Sequence, residues 1–176
     1  MADMSNFAPE YDAPIDYMRR TRDYYLALGY DNPYRWAHDL DAPFTPLKTP
    51  LKDSTLVLIT TAAPFQPDNG DQGPGAPYNA GAKFYAVYSG ATAHDHDTRI
   101  SHIGYDRKHT TATDSNTWFP LPLMRAFAAE GRFKLAKRFH GAPTNRSQRV
   151  TLDTDAPEIL ARCRQDQVDA ALLVPT

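Results

Sequence analysis

Thr55-Leu-Val-Leu-Ile-Thr-Thr61 is the stretch of this 176-residue chain that decides its fold. It is a nearly unbroken run of β-prone apolar residues, which is typical of a parallel strand covered on both faces. A second apolar strand is predicted in Val168-Asp-Ala-Ala-Leu-Leu-Val-Pro-Thr176, directly after a helix expected over residues 155–167 and capped by Asp155. A helix followed by such a strand is half of a βαβ unit, so the two strands predict one sheet flanked by helices.

Further elements are expected between these two strands. Residues 83–89 and 98–104 each resemble a short extended segment. A helix is predicted from Leu121 to Glu130, because a proline precedes it and Gly131 follows it as a C-terminal stop. The segment 64–77 is rich in Gly and Pro and predicts a mobile surface loop.

The first part of the chain is loop-rich, since ten of the 15 prolines precede residue 80. A helix is predicted from Ala13 to Leu28, with Asp12 as its N-cap and Gly29 as its end. The segment 30–52 is predicted to be extended and to wrap around the rest of the chain, and we call it the wrap. We expect it to pack through four side chains, Tyr34, Trp36, Phe44 and Leu47.

These patterns predict a single three-layer α/β domain with a mainly parallel sheet. Residues 1–52 would supply a helix and a proline-rich wrap, and residues 53–176 the sheet-containing core. In open α/β sheets the functional residues lie beyond the carboxyl ends of the strands. Since the last predicted strand ends with the chain, we expect a domain incomplete at its carboxyl end, and therefore marginal or aggregation-prone by itself.

Composition excludes several classes of function. With 19 basic and 21 acidic residues the formal charge is −2, so general affinity for nucleic acid is not expected. No apolar run approaches the length of a membrane span, and the first ten residues do not form a signal peptide, which predicts a cytoplasmic location. The single cysteine, Cys163, excludes an internal disulfide framework and falls on the expected buried stripe of the last helix, where a thiol is unreactive.

The densest group of potential metal ligands is His94-Asp-His-Asp97, followed by His102 and His109. Imidazole and carboxylate groups together bind zinc, iron or manganese. The same residues also suit a solvated turn between two strands, so both interpretations stay open.

Ser101-His-Ile-Gly-Tyr-Asp-Arg107 places a histidine, a tyrosine and an aspartate after a short extended piece. His102 suits a general acid or base near pH 7, with Tyr105 or Asp106 fixing its tautomer. The alternative is a half-buried histidine bonded to a backbone carbonyl.

Asp114 and Asn116 precede the predicted helix at Leu121. They fit either a capping turn or a polar loop edge that orients a substrate ammonium. Spacing alone does not separate these two roles.

Five blocks of the sequence, taken in order, resemble one family, the selenoprotein B family of glycine, sarcosine and betaine reductases with the related D-proline reductase. The blocks are Thr55-Leu-Val-Leu-Ile-Thr-Thr-Ala62, Ser101-His-Ile-Gly-Tyr-Asp106, Asp114-Ser-Asn-Thr-Trp-Phe-Pro-Leu121, Ala129-Glu-Gly131 and Val168-Asp-Ala-Ala-Leu-Leu-Val-Pro-Thr176. The resemblance covers the chain from about Tyr34 onward. The Gly- and Pro-rich insert between Pro64 and Pro77 departs from the family pattern.

The resemblance implies a nucleophile that this sequence does not contain. In the family, the strand ending here at Thr176 leads into a selenocysteine or cysteine. Because selenocysteine is encoded by UGA, we expect that this sequence ends at the selenocysteine position and would be inactive in this form.

The resemblance also implies an activity, namely reductive cleavage of a C–N bond alpha to a carboxylate. In the family a companion subunit holds the amine of a small amino-acid-like substrate through a pyruvoyl group, and the selenolate attacks the alpha carbon. His102 would then transfer protons, and Asp114 and Asn116 would position the substrate. We further expect Tyr105, Thr61 and Thr176 to contact it.

Two other functions remain open, and both come from a different class. One is a non-catalytic α/β protein that binds a ligand or a partner subunit. The other is a metal protein that uses His94, His96 and His102. Association into a homo-oligomer is also left open.

Overall fold

The structure, a computed structural model, describes residues 14–30, 35–73, 76–144 and 147–175. Contacts between backbone positions divide the chain into two compact units, Met1–Ala42 and Pro43–Thr176.

The first unit contains helix α1, Tyr17–Ala27. The expected start at Ala13 is wrong, because the side chain of Asp16 accepts the N–H of Arg19 and caps the helix there. The predicted cap, Asp12, lies outside the described residues. The predicted end is confirmed, since Gly29 follows with a φ of +82°, a conformation that glycine adopts without strain.

The second unit is built on a mixed sheet whose central strand is β1, Thr55–Thr60. The other strands are β2 Ala63–Pro64, β3 Tyr88–Ala91, β4 Thr98–Arg99, β5 Lys134–Leu135, β6 Arg138–Gly141 and β7 Ala170–Val174. Strands β2 and β4 form a separate antiparallel pair.

Strand β1 pairs in parallel on both sides. Strand β7 runs along one side, and β5 and β6 share the other as one interrupted strand. Strand β3 pairs antiparallel with β6 at the far edge. The α/β fold class and the parallel central strand are therefore confirmed, with the correction that one edge of the sheet is antiparallel.

Helices cover both faces of this sheet. Helix α2, Leu121–Ala129, packs its Leu121 and Met124 against Leu58 and Phe139. Since successive strand residues point to opposite faces, Val57 points the other way, toward helix α4, Ala156–Gln165. Gly131 ends α2 with a φ of +77°, as predicted.

Helix α4 begins directly after Asp155, but Asp155 does not cap it, contrary to the sequence prediction. The helical path starts earlier, with α3, Gln148–Val150, and continues through a π-helical turn at Thr151–Asp155. Ser147 is the cap, since its side chain accepts the N–H of Val150 at 3.2 Å. Asp155 is therefore an interior residue, buried and helical, and makes no side-chain cap bond.

Two other expectations are corrected. Of the extended segments predicted over residues 83–89 and 98–104, only residues 88–89 and 98–99 are strand, as parts of β3 and β4, and the rest of each segment is irregular. The wrap is not packed as expected, because Trp36, Phe44 and Leu47 are exposed. Tyr34 lies outside the described residues.

The side of the sheet formed by β7 and α4 carries an apolar groove of about 460 Å³. Its walls include Ile59, Ile159, Leu160 and Leu173. Among the described residues β7 pairs with β1 alone, and Leu173 is 60% exposed.

Candidate functional site

Strands β1, β6 and β7 end at the same side of the sheet, which we call the carboxyl edge. The N–H of Thr61 donates to the carbonyl of Val174 at 3.2 Å, and the N–H of Ala142 donates to the carbonyl of Thr60 at 2.8 Å. Functional residues of α/β sheets gather in the crevice beyond such an edge. The carboxyl edge is therefore the candidate site.

The segment 101–109 is attached to this edge by hydrogen bonds. The hydroxyl of Thr144, three residues after β6, donates to the carbonyl of Ser101 at 3.0 Å. The guanidinium of Arg107 donates to the carbonyls of His102 (3.1 Å) and Ala76 (2.6 Å). His102 therefore follows directly after Ser101, whose carbonyl is bonded to Thr144 beyond the end of β6.

The ring of His102 is held in one orientation and is half-buried. Its Nδ1 accepts the N–H of Gly104 at 3.2 Å, so the proton of the neutral ring is assigned to Nε2. Burial lowers the pKa of His102, and the charges of Arg107 and Lys83 lower it further. The ring is consequently neutral near pH 7, with Nε2–H as a donor.

Neither residue predicted to orient His102 does so directly. Asp106 accepts hydrogen bonds from its neighbour His109, whose Nδ1 lies 2.8 Å from the carboxylate. Tyr105 is half-buried against the core, with the guanidinium carbon of Arg107 5.6 Å from its ring centre. The N–H of Gly104 fixes the ring instead.

Asp114 and Asn116 lie together in the turn before α2. The carboxylate of Asp114 accepts the backbone N–H of Asn116 at 2.9 Å and its side-chain amide at 3.0 Å. Both residues are exposed, and no described hydrogen bond joins either to His102. This geometry is that of a capping turn, one of the two roles left open by the sequence.

Thr61 and Thr176 are the two other residues predicted to contact the substrate. Thr61 is half-buried at the carboxyl edge and is held by its bond to Val174. Thr176 lies outside the described residues.

A small polar cavity at the carboxyl edge was missed by sequence reasoning. It encloses about 30 Å³, and the polar side chains that line it include Gln72, Asn79, Arg99, Ser101, Arg107 and Trp118. In the part of the chain that the structure describes, the indole Nε1 of Trp118 and the Nε of Arg99 are buried without a hydrogen-bond partner. A buried unsatisfied donor costs about 1–3 kcal/mol, so these two atoms need an explanation.

Part of this cavity had a signal in the sequence. Arg99 and Arg107 flank the Ser101-His102 pair on both sides. No pattern, in contrast, could show that the N–H of a core tryptophan lacks an acceptor, because this depends on tertiary packing.

The structure gives the metal alternative no support. Within residues 14–30, 35–73, 76–144 and 147–175, no three His, Cys, Asp or Glu side chains form a potential metal-binding group. His96 packs its ring 4.8 Å from that of Phe139 and donates to the carbonyl of Ala91, whereas His94 is exposed.

Cys163 is buried, as predicted. It packs with Val57 and Ile159 between α4 and the sheet. Burial raises the pKa of this thiol, so it stays protonated and unreactive at neutral pH.

A second polar cluster lies between β3, β6 and α4. The hydroxyl of Ser89 lies 2.8 Å from Nδ1 of the fully buried His140 and accepts a hydrogen bond from Arg162 at 2.7 Å. The Nε2 of His140 lies 3.4 Å from the carboxylate of Asp166. The hydrogen bonds of Ser89 with His140 and Arg162 connect β3 to β6 and to α4, whereas Nε2 of His140 makes no described hydrogen bond.

Fold and site together define an α/β protein with a conformationally fixed histidine and a polar cavity at the carboxyl edge of its sheet. The chain is similar to the D-proline reductase subunit gamma of Acetoanaerobium sticklandii, with 29% identity over 137 residues. The match covers 74% of this chain and 52% of that protein, so the chain spans about half the length of the curated relative it matches. No protein-family model matches the chain, and no solved structure matches it.

This similarity supports a distant relationship to that subunit. It agrees with the D-proline reductase part of the predicted resemblance, whereas membership of the selenoprotein B family stays a prediction. In the described part of the chain, none of the helices has the length and apolar character needed to cross a membrane.

Proposed function

We propose that this chain is part of a reductase of the D-proline reductase type, which cleaves a C–N bond alpha to a carboxylate. The observation that carries the proposal is the similarity to D-proline reductase subunit gamma. Glycine, sarcosine, betaine and D-proline are the substrates to test, since each carries a nitrogen on the carbon next to its carboxylate.

The overall reaction sets the chemical requirements of the site. The C–N bond breaks, one C–H bond and one N–H bond form, and two electrons and two protons are consumed. A dithiol that is oxidised to a disulfide supplies both. Cys163 is the only cysteine of the chain and is buried, so it does not suit this task.

The nucleophile in this proposal is a selenol or thiol that follows Thr176 in the full-length protein. The carbonyl of Val174 is bonded to the N–H of Thr61 at the carboxyl edge. A nucleophile shortly after Val174 in the chain would therefore lie near this edge. A pyruvoyl group on a partner subunit would hold the substrate amine.

His102 is the residue of this chain that best suits proton transfer. Its bond to Gly104 fixes the ring, and its lowered pKa keeps the ring neutral, so Nε2–H is the group that donates toward the leaving nitrogen. Asp114 and Asn116 shape the loop before α2 through their hydrogen bonds to each other. Their polar contact with the substrate stays a prediction.

A second candidate function is supported by the groove beside β7. A non-catalytic subunit-binding protein would place a partner against the apolar walls formed by Ile159, Leu160 and Leu173. The two candidates differ in turnover, because a pure binding protein leaves the rate of substrate reduction unchanged.

The first test is the nucleotide sequence after the Thr176 codon. The proposal expects UGA with an in-frame continuation, and an ordinary stop codon there would sink the selenol hypothesis. The second test is turnover of the four substrates by the full-length product in its isolated complex, with dithiothreitol as the dithiol. Omission of the full-length product is the control, and a rate that is equal without it would overturn the catalytic role.

A further inference from the structure

The insert between Pro64 and Pro77 is cross-linked by amide side chains. Gln72 is 8% exposed, and its Nε2 donates to the carbonyls of Gln66 (2.7 Å) and Gly70 (3.1 Å). Its Oε1 accepts the N–H of Gln66 at 3.1 Å. Just beyond the insert, Nδ2 of Asn79 donates to the carbonyl of Asn69 at 2.5 Å. Because an amide side chain both donates and accepts, these bonds hold the described residues of the insert in one arrangement.

The insert packs closely against the segment that carries His102. The small polar cavity that they share encloses about 30 Å³, which is room for about two water molecules. Asp71 and Ala76 line it from the insert, and Ser101 and Arg107 line it from the other segment. The two segments therefore meet with little space between them.

Arg107 joins the two segments through its side chain. Its Nε donates to the carbonyl of Ala76 at 2.6 Å, and its Nη1 donates to the carbonyl of His102 at 3.1 Å. The N–H groups of a guanidinium lie in one rigid plane, so the two carbonyls are held at a set spacing. Arg107 is half-buried, where hydrogen bonds from a charged donor are stronger than in water. One side chain thus attaches the backbone of His102 to the insert.

Arg107 also belongs to the turn that carries His102. Its backbone N–H donates to the carbonyl of Tyr105 at 2.9 Å, and the N–H of Tyr105 donates to the carbonyl of His102 at 3.4 Å. Within this turn the N–H of Gly104 donates to the ring Nδ1 of His102. The carbonyl and the ring of His102 are therefore both held by the turn that Arg107 attaches to the insert.

We propose that Arg107 is a positioning residue: by bridging the carbonyls of Ala76 and His102, it fixes the imidazole of His102 relative to the insert. The inference rests on the proposed function only where that function assigns proton transfer to His102. Without the bridge, the turn loses its attachment to the insert and the ring becomes more accessible to water.

The pKa of His102 separates the position of Arg107 from its charge. Burial is the largest cause of the lowered pKa, and the positive charge of Arg107 is the next. Arg107→Lys keeps the charge but replaces the planar fork by one nitrogen, so hydration of the ring alone should raise the pKa of His102. Arg107→Gln loses the charge as well, and the rise should be larger. Lys83, whose charge also lowers this pKa, is unchanged in both variants.

NMR titration of the full chain with isotope-labelled histidine measures this pKa. The chain has six histidines, so a His102→Asn variant identifies the signal of His102. A rise in Arg107→Gln with an unchanged value in Arg107→Lys would assign Arg107 a charge effect alone and overturn the inference. An unchanged value in both variants would overturn it as well.

Arg132→Lys and Arg132→Gln are the matched controls. Arg132 is an exposed arginine that lies over the ring of Phe127 after the end of α2. Both control variants are expected to leave the pKa of His102 unchanged. A rise as large as that of the Arg107 variants would show a general effect of arginine loss and count against a role specific to Arg107.

The part played by the insert is tested with Gln72→Leu, which removes the amide bonds and keeps a side chain of similar size. A looser insert holds Ala76 less firmly, so the pKa of His102 should rise although no charge has changed. A constant pKa would show that the insert does not anchor Arg107 and would overturn the inference. Because Gln72→Leu and Arg107→Lys act at opposite ends of one bridge, either variant decides the result if the other does not fold.

Kinetics distinguish a failure of this inference from a failure of the proposed function. In the isolated complex, Arg107→Lys is expected to lower kcat for D-proline by about 10²-fold, the cost of a misplacement of about 1 Å, and to leave KM unchanged. An unchanged kcat would keep the reductase role and overturn the positioning role. Absence of turnover in the unmodified complex would overturn the reductase role, and the pKa of His102 in the variants would still decide whether Arg107 positions it.

Discussion

His102 and His140 both have a pKa lowered by burial, but their surroundings differ. His140 is fully enclosed and has a polar neighbour at each ring nitrogen, Ser89 and Asp166. His102 is half-buried, and its ring has one described hydrogen bond, from the N–H of Gly104. His140 therefore stabilises the packing of the fold, whereas the Nε2–H of His102 is available to another partner.

The largest effect is expected from His102→Asn in the reductase complex. Loss of a general acid or base lowers the rate by about 10²- to 10⁴-fold. Turnover of D-proline by the full-length product is the measurement, and His94→Asn, at an exposed histidine, is the matched control. The free energy of unfolding should change by less than about 1 kcal/mol. Unchanged turnover would remove His102 from the mechanism.

His140→Phe is expected to lower the stability of the fold, whereas His102→Asn is expected to lower turnover. The substitution leaves Ser89 and Asp166 without the ring between them, so the free energy of unfolding should fall by about 2–3 kcal/mol. Urea denaturation followed by circular dichroism measures it. Equal changes in the free energy of unfolding for His140→Phe and His102→Asn would contradict the different roles assigned to the two histidines.

The pH dependence of stability should follow both histidines. Each has a pKa below 6.5 in the folded state, so the unfolded chain binds more protons near that pH. Stability is therefore complete above about pH 6.5 and is lost as the pH falls through that value, by at most about 1.4 kcal/mol per pH unit for each histidine. Thermal melts between pH 7 and 6 measure the slope. A slope that survives in the His140→Phe and His102→Asn double variant would assign it to other groups.

The smallest effect is expected from Gly104→Ala. A Cβ at this position would lie 3.0 Å from Cε1 of His102, so the ring must move by a few tenths of an ångström. The bond to Nδ1 then weakens and the pKa of His102 shifts, while that of His140 stays constant. Proton NMR titration of both rings records the two values in one sample. A shift of His140 alone would contradict the assignment.

The sheet was predictable where local sequence decides the structure. The run Thr55–Thr60 is apolar and β-prone without interruption, and Gly131 ends α2 with a left-handed φ. The helical turns before α4 were not predictable from Asp155, because Ser147 caps a longer helical path that passes through a π-helical turn. A cap signal cannot show whether the helix has already begun upstream.

The candidate site was predictable only in part. His102 follows from its residue type and its place after a short extended piece. The contact between Ser89 and His140 joins residues 51 positions apart, and no local pattern carries it. The orphan N–H of Trp118 is equally invisible in the sequence, because core packing decides it.

The central position of β1 has a consequence for the way in which the chain folds. This strand lies at residues 55–60, but its neighbours come from residues 134–141 and 170–174. The chain must close large loops before strands so far apart in the sequence can pair, so these pairings form slowly. Until they form, the most apolar and β-prone segment of the chain is without partners, which is the condition under which such segments aggregate. Refolding yield should therefore fall as protein concentration rises, and chaperones that shield extended apolar segments should restore it.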